Sequence, residues 1–139
     1  MFNGKNKAVT FSYDDGVMQD IRFIEILNKY NLKCTFNLNS ELLGKPHFLV
    51  RDDVKIDHTK VAPKDVKYIY EGHEVAVHTL THPRWPDIAD DAEVLRQVEQ
   101  DRLNLSELAG YEVLGMAYPC GGVNCNDRVA DIIRNNTPI

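Results

Sequence analysis

The chain is predicted to be an α/β fold built on parallel strands, and three observations carry that expectation. Short β-favouring runs alternate with amphipathic helical ones. The unusual polar clusters fall just beyond the strands. No linker or internal repeat divides the 139 residues, so one domain is expected over residues 1–139.

The first element is Lys7 to Tyr13, a β-favouring run that stops at Asp14-Asp15-Gly16. From Asp20 to Tyr30, apolar residues at Ile21, Ile24, Ile26, Leu27 and Tyr30 fit one face of a helix. Lys33 to Leu38 returns to strand character, giving a β-α-β opening that suits a parallel sheet. Ser40 to Val61 reads as an inserted hairpin or loop, with extended pieces at His47 to Val50 and Val54 to Asp57 around the turn Arg51-Asp52-Asp53. Pro63 can occupy the first turn of a helix reaching about Tyr70 and ending at Gly72. Glu74 to His78 is the next strand. Asp90 with Glu93 has capping-box spacing and opens a helix that Gly110 closes. Val113 to Tyr118 reads as a further strand and Asn126 to Asn135 as the last helix. The order is β-α-β-(insert)-α-β-α-β-α, with right-handed crossovers expected.

Composition narrows the function. With 43% hydrophobic residues the chain can build a core. Its 16 basic and 21 acidic residues give a net charge of -5, with no basic stripe, which disfavours nucleic acid and acidic membrane surfaces as partners. No apolar run is long enough to span a bilayer. No apolar segment follows the N-terminal lysines, so no signal peptide is read and a cytoplasmic location is expected. Cys34, Cys120 and Cys125 are odd in number and lack CxxC spacing, which suits free thiols in a reducing compartment.

In parallel α/β folds, chemistry gathers where strands end. Asp14-Asp15-Gly16, His78-Thr79-Leu80-Thr81-His82 and Tyr118-Pro119-Cys120-Gly121 all occupy such positions. On an extended strand His78 and His82 would lie about 13 Å apart, too far to share an ion. They can converge on one metal only if the strand stops near His78 and the chain turns; a helical turn would bring them to about 6 Å. Otherwise they are two unrelated histidines. Neighbouring strand residues face opposite ways, so Asp14 and Asp15 should not both ligate one ion unless the strand breaks between them, and one ligand with one nearby base is the natural division. Two histidines and one carboxylate leave an open position, as catalytic zinc requires. The plainer reading of Asp-Asp-Gly is a solvated turn. His73-Glu74 lacks the second histidine of a zinc-protease helix, since Val77 stands in its place. His47 and His58 are expected to be exposed in the insert. Trp85 could stack on a sugar ring or cover the end of the sheet.

Taken together, the three clusters resemble the polysaccharide deacetylase family, the carbohydrate esterases of family four. Thr10 to Gly16 is similar to its first motif, Thr-Phe-Asp-Asp-Gly, with two residues inserted or replaced. His78 to His82 matches its second, His-Ser/Thr-x-x-His, and Tyr118 to Gly121 resembles the third, Arg-x-Pro-Tyr-Gly, with Ala117 where the arginine would be. The resemblance runs from Lys7 to the last helix. It implies a distorted (β/α) barrel, here partial and truncated, because about four strands cannot close a barrel for which the family uses roughly seven or eight. No counterpart of the family's C-terminal Leu-x-His motif, source of a general acid, is found, so an N-terminal portion of a longer deacetylase is expected.

The implied activity is hydrolysis of acetyl groups from an N- or O-acetylated glycan with a divalent metal, usually zinc, with cobalt or nickel as alternatives. Carried over, Asp15, His78 and His82 are metal ligands, Asp14 is the general base and the Cys120 backbone N–H helps hold the oxyanion. The alternative is a non-catalytic module that keeps the metal or glycan site. The unfinished sheet leads to the expectation of a homodimer or higher homo-oligomer.

Overall fold

The computed structural model describes Gly4 and residues 6–139. Met1, Phe2, Asn3 and Lys5, within the stretch read above for a signal peptide, lie outside the described residues. In chain order the elements are β1 (Ser12–Asp14), α1 (Gln19–Lys29), β2 (Thr35–Leu38), β3 (Phe48–Arg51), β4 (Val54–Asp57), α2 (Val66–Ile69), β5 (Glu74–Val77), α3 (Asp91–Ala109) and α4 (Asp127–Asn136). β1, β2 and β5 form a parallel sheet in the order β1-β2-β5, with Asp14 beside Asn37 and Asn37 beside Ala76. Strands β3 and β4 form a separate antiparallel hairpin, the first of the two forms the insert's sequence left open.

Two expected strands are shorter than read. Only Ser12–Asp14 of the run from Lys7 pairs, because β2 begins at Thr35 and offers no strand partner further back. Val113 to Tyr118 is not a ladder. It meets the sheet through one parallel bridge, Val77 to Met116, in which Val77 N–H donates to Gly115 O and Ala117 N–H to Val77 O. A Cβ on Gly115 would stand 3.0 Å from a Glu74 carboxylate oxygen, so the chain passes flush against β5 before diverging. The α2 region is a 3-10 turn over Pro63–Asp65 followed by one α turn. The capping box is half realised: Asp90 caps by accepting from Ala92 N–H, while Glu93 turns away to Arg96 and Gln97.

The core lies between the sheet and the helices. Ile24 and Leu27 of α1 and Val94, Val98, Leu105 and Ala109 of α3 recur at helical spacing and are buried with Phe36, Leu38, Val75 and Val77. Trp85 is fully buried in this cluster, so of its two readings the sugar-stacking one falls. Burial pushes the Cys34 thiol up to about 11, leaving it inert at neutral pH. Among the described residues, no helix is long and apolar enough to cross a membrane.

One carboxylate in this core is ionised only at a cost. Asp20, at the start of α1, is fully buried, and the Tyr70 hydroxyl donates to its Oδ2 at 2.7 Å while Oδ1 has no partner. Burial raises its pKa from 3.8 to about 6, against the lowering effects of Tyr70 and Lys60; Asp15 adds to the rise, and Cys34 also lies close enough to feel its charge. The folded chain therefore keeps a proton that the unfolded chain has shed, and Asp20's contribution to stability falls as pH rises from about 4 to about 6. The total is about 3 kcal/mol. Urea unfolding of Asp20→Asn across this range is expected to show a correspondingly flatter pH dependence than the parent; an unchanged slope would assign it to other groups.

Candidate metal centre

The parallel sheet sends all its strand ends to one edge, and the polar clusters collect there. Asp14 ends β1, exposed, with its Oδ1 accepting from Asn37 Nδ2 at 2.7 Å. Asn37, buried one strand over, also donates to Ser12 Oγ. Asp15 follows with φ +83°, so the strand breaks between the two carboxylates, the one condition under which both could have faced one ion; Asp15 but not Asp14 joins the cluster of ligand atoms. Gly16 continues the turn at φ +62°, and a Cβ there would meet Leu38 Cδ2 at 3.0 Å. A side chain would be both strained and crowded.

β5 stops at Val77, as a shared metal requires, but the chain then turns without forming a helix. Thr79 and His82 adopt φ +72° and +57°, and the His78 and His82 ring centroids stand 5.0 Å apart. Helix α3 and the end of β2 hold this loop. Gln97 O accepts from Leu80 N–H, Gln97 Oε1 accepts from Thr81 N–H, and Asn39 Nδ2 donates to Thr79 O at 2.9 Å. Asp101, fully buried, accepts from Ser40 N–H at 2.7 Å and from His78 N–H at 3.2 Å. Burial pushes this carboxyl up to about 7 against those hydrogen bonds. Gln97 and Asp101 lie four residues apart on the buried face of α3.

The outcome is that Asp15, His78 and His82 offer ligand atoms all within 4.8 Å of one another. Tetrahedral zinc with bonds of about 2.1 Å sets its donors about 3.4 Å apart. Asp15 Oδ1 and His82 Nε2 are already 3.7 Å apart, so small side-chain rotations suffice and the donor set fits such an ion. Burial lowers the His78 pKa and keeps the imidazole neutral. Its Nδ1 donates to Ala117 O at 2.9 Å, which leaves the Nε2 lone pair free to ligate. Cys120 lies in the loop after the Met116 bridge at φ +65°, its Sγ 3.8 Å from His82 Nδ1. Asn124 Nδ2 donates to Cys120 O at 2.8 Å and steadies that loop.

Two residues at this centre were not anticipated. His58 was expected to be exposed; it is half-buried, its Nε2 3.5 Å from Asp15 Oδ2. Lys60 is buried with its Nζ 3.7 Å from Asp15 Oδ1 and 3.3 Å from His58 Nδ1. Burial lowers both pKa values, and Asp15 opposes the drop. An antiparallel bridge from Val17 to Lys60, with Met18 N–H donating to Thr59 O and Val61 N–H to Gly16 O, ties the hairpin's base to the Asp-Asp-Gly turn. The exposed His47 remains further out.

A parallel sheet with carboxylates and imidazoles gathered at its carboxyl edge defines an α/β protein with a strand-end site. The polysaccharide deacetylase model matches residues 3–137, and the chain belongs to that family. Comparison with curated proteins gives no match. Among solved structures, the Streptococcus pyogenes deacetylase PplD in complex with acetate superposes with a TM-score of 0.77 at 21% identity, covering 95% of this chain and 54% of that one. IcaB from Ammonifex degensii gives 0.78 at 16%, over 96% and 58%. A peptidoglycan N-acetylglucosamine deacetylase in complex with an N-oxidanyl-benzamide gives 0.68 at 26%, over 95% and 55%. The chain thus spans little more than half the length of these proteins, and its sheet corresponds to part of their fold.

The support given by Asp101 is open to test. Asp101→Ala strands the Ser40 N–H in the interior, while the His78 N–H keeps its bond to Leu38 O at 2.9 Å, at a cost of about 1–3 kcal/mol. A urea midpoint within error of the parent's would show that water or a neighbour takes over the Ser40 bond.

Proposed function

We propose that the chain carries the hydrolytic centre of a divalent-metal-dependent deacetylase, which removes acetyl groups from an N- or O-acetylated polysaccharide or oligosaccharide. The observation that carries this reading is the convergence of Asp15, His78 and His82 at the sheet's carboxyl edge, with Asp14 next to them and outside the ligand cluster. A bound divalent ion, zinc by preference for two imidazoles and a carboxylate, supplies a Lewis acid for the acetyl carbonyl and an acidified water.

The remaining work falls to the chain. Asn37 holds one oxygen of Asp14, which orients the other towards solvent as a proton acceptor. Asp14, once protonated, is the group placed to return that proton to the departing sugar amine or hydroxyl. The main-chain N–H of Cys120 makes no hydrogen bond with the described residues, which leaves it free to donate to the oxyanion of the tetrahedral intermediate. Ala117 occupies the position of the family's third-motif arginine, so no arginine there acts on Asp14; the Ala117 carbonyl instead fixes the His78 tautomer.

The reading is tested by acetate release from acetylated chitooligosaccharide, after chelation and after return of zinc or cobalt. Release restored by metal supports it, and none under any metal would leave a non-catalytic binding module. His82→Ala is expected to lose bound metal by elemental analysis, since two ligands hold zinc weakly; unchanged metal content would remove His82 from the ligand set. Asp14→Asn is expected to keep the metal and lose about a hundredfold or more in rate. Equal loss of metal in Asp14→Asn and Asp15→Asn would make both carboxylates ligands.

A further inference from the structure

A groove of ≈ 550 Å³ opens directly from the metal-site residues, with Asp15, Thr81 and His82 at its inner end. That volume lies within the range of small-ligand sites. Its outer wall is the hairpin insert, and the period of two along an extended chain places Lys45, His47, Leu49 and Arg51 on the face that lines it. His58 and Lys60 enter from the returning arm.

The lining is strongly one-sided in charge. Asp15 is its only carboxylate and is already matched by Lys60 at 3.7 Å. Lys45 and Arg51 make no ion pair among the described residues, so, besides Lys60 and His82 at the metal site, two unpaired cations and the imidazoles of His47 and His58 face the cavity of a chain whose net charge is -5. The hairpin's acids do not balance them. Asp52 and Asp53 are at the exposed tip, and Asp57 accepts from Thr59 N–H outside the groove. Lys55, away from the groove, has a partner of its own, the Phe48 ring at 3.9 Å. Hairpin pairing does not need unpaired cations on the inner face. An anion recognised beside the reacting sugar does, because low-dielectric walls of one sign concentrate the opposite charge.

Building on the deacetylase reading, we propose that this groove selects acetylated glycans carrying an anionic substituent, a phosphate or a carboxylate, close to the acetylated sugar, with Lys45 and Arg51 as the residues that receive it. A neutral acetylated glycan would fit the same cavity but leave both cations unmatched.

The test compares three probes with the zinc-loaded chain: tetra-N-acetylchitotetraose, the same oligomer bearing 6-O-phosphate, and a hyaluronan tetrasaccharide with carboxylates. At least one anionic probe is expected to exceed the neutral one by about tenfold or more in kcat/KM, chiefly through KM, and to lose that lead as salt rises. Which probe leads identifies the anion. In the Lys45→Ala/Arg51→Ala double variant the anionic-to-neutral ratio should fall about tenfold, while Lys55→Ala should leave the ratio unchanged. Equal use of all three probes, or an unaltered ratio in the double variant, overturns the proposal. Calorimetric binding of the same probes to metal-free protein separates it from the deacetylase reading. An anionic preference lost in the double variant upholds the groove even if no acetate is released. No preference, or no binding by any probe, refutes the groove whatever the activity.

Discussion

Each oxygen of the Asp101 carboxylate accepts one main-chain N–H, from Ser40 just beyond β2 and from His78 at the end of β5. That side chain thereby sets the spacing of α3 from two strand ends already joined by the His78 N–H bond to Leu38 O at 2.9 Å. The rest of the candidate centre hangs from that spacing. His78 is placed by it directly, and His82 follows through the loop that Gln97, four residues earlier on the same face, holds by its carbonyl and its amide. The arrangement is costly, because a buried carboxylate resists ionisation while two N–H donors favour its charge. A water or a hydroxyl in its place could not grip two backbones in fixed register.

Much of this was legible in the residues, for a physical reason. Parallel sheets put every strand's carboxyl end on one edge, so locating Asp15, His78 and His82 just beyond their strands was enough to place them near one another, with Asp14 at the end of β1 and Cys120 in the loop nearby. The hairpin was readable as one of two forms, since Arg51-Asp52-Asp53 breaks an otherwise extended run. His58 and Lys60 were not, because their neighbourhood depends on a long-range bridge between Val17 and Lys60 that no local period announces. Trp85 was ambiguous for a related reason. Only the packed core shows which of an amphipathic ring's two habits prevails, and here it is full burial. Val113 to Tyr118 has strand composition but meets one short neighbour, and composition cannot count partners.

The insert changes what the sheet alone would present. Without it, Asp15 would look out on solvent beside two imidazoles; with it, the same carboxylate lies under a buried ammonium and a third imidazole. The hairpin is joined to the body by main-chain bonds at its base, and the Gln19 amide bond to Asp57 O with the His58 and Lys60 contacts to Asp15 adds to that attachment. Residues on its strands can therefore vary without moving the centre, which separates the control of what enters from the groups that react.

Asp15, Thr79, His82 and Cys120 all carry positive φ, as do Asn31, Asp52 and Asp53 in turns. For asparagine and aspartate that conformation is common; for threonine, histidine and cysteine it costs about 1 kcal/mol or more each. Glycine at those three positions would relax the backbone and discard the side chain's contact in one step. Descent under selection for folding alone should then drift towards glycine at 79, 82 and 120, whereas descent under selection for the site should resist it. The left-handed residues thus serve as a record, readable in any set of related chains, of whether a lineage has kept the use of this centre or only its shape.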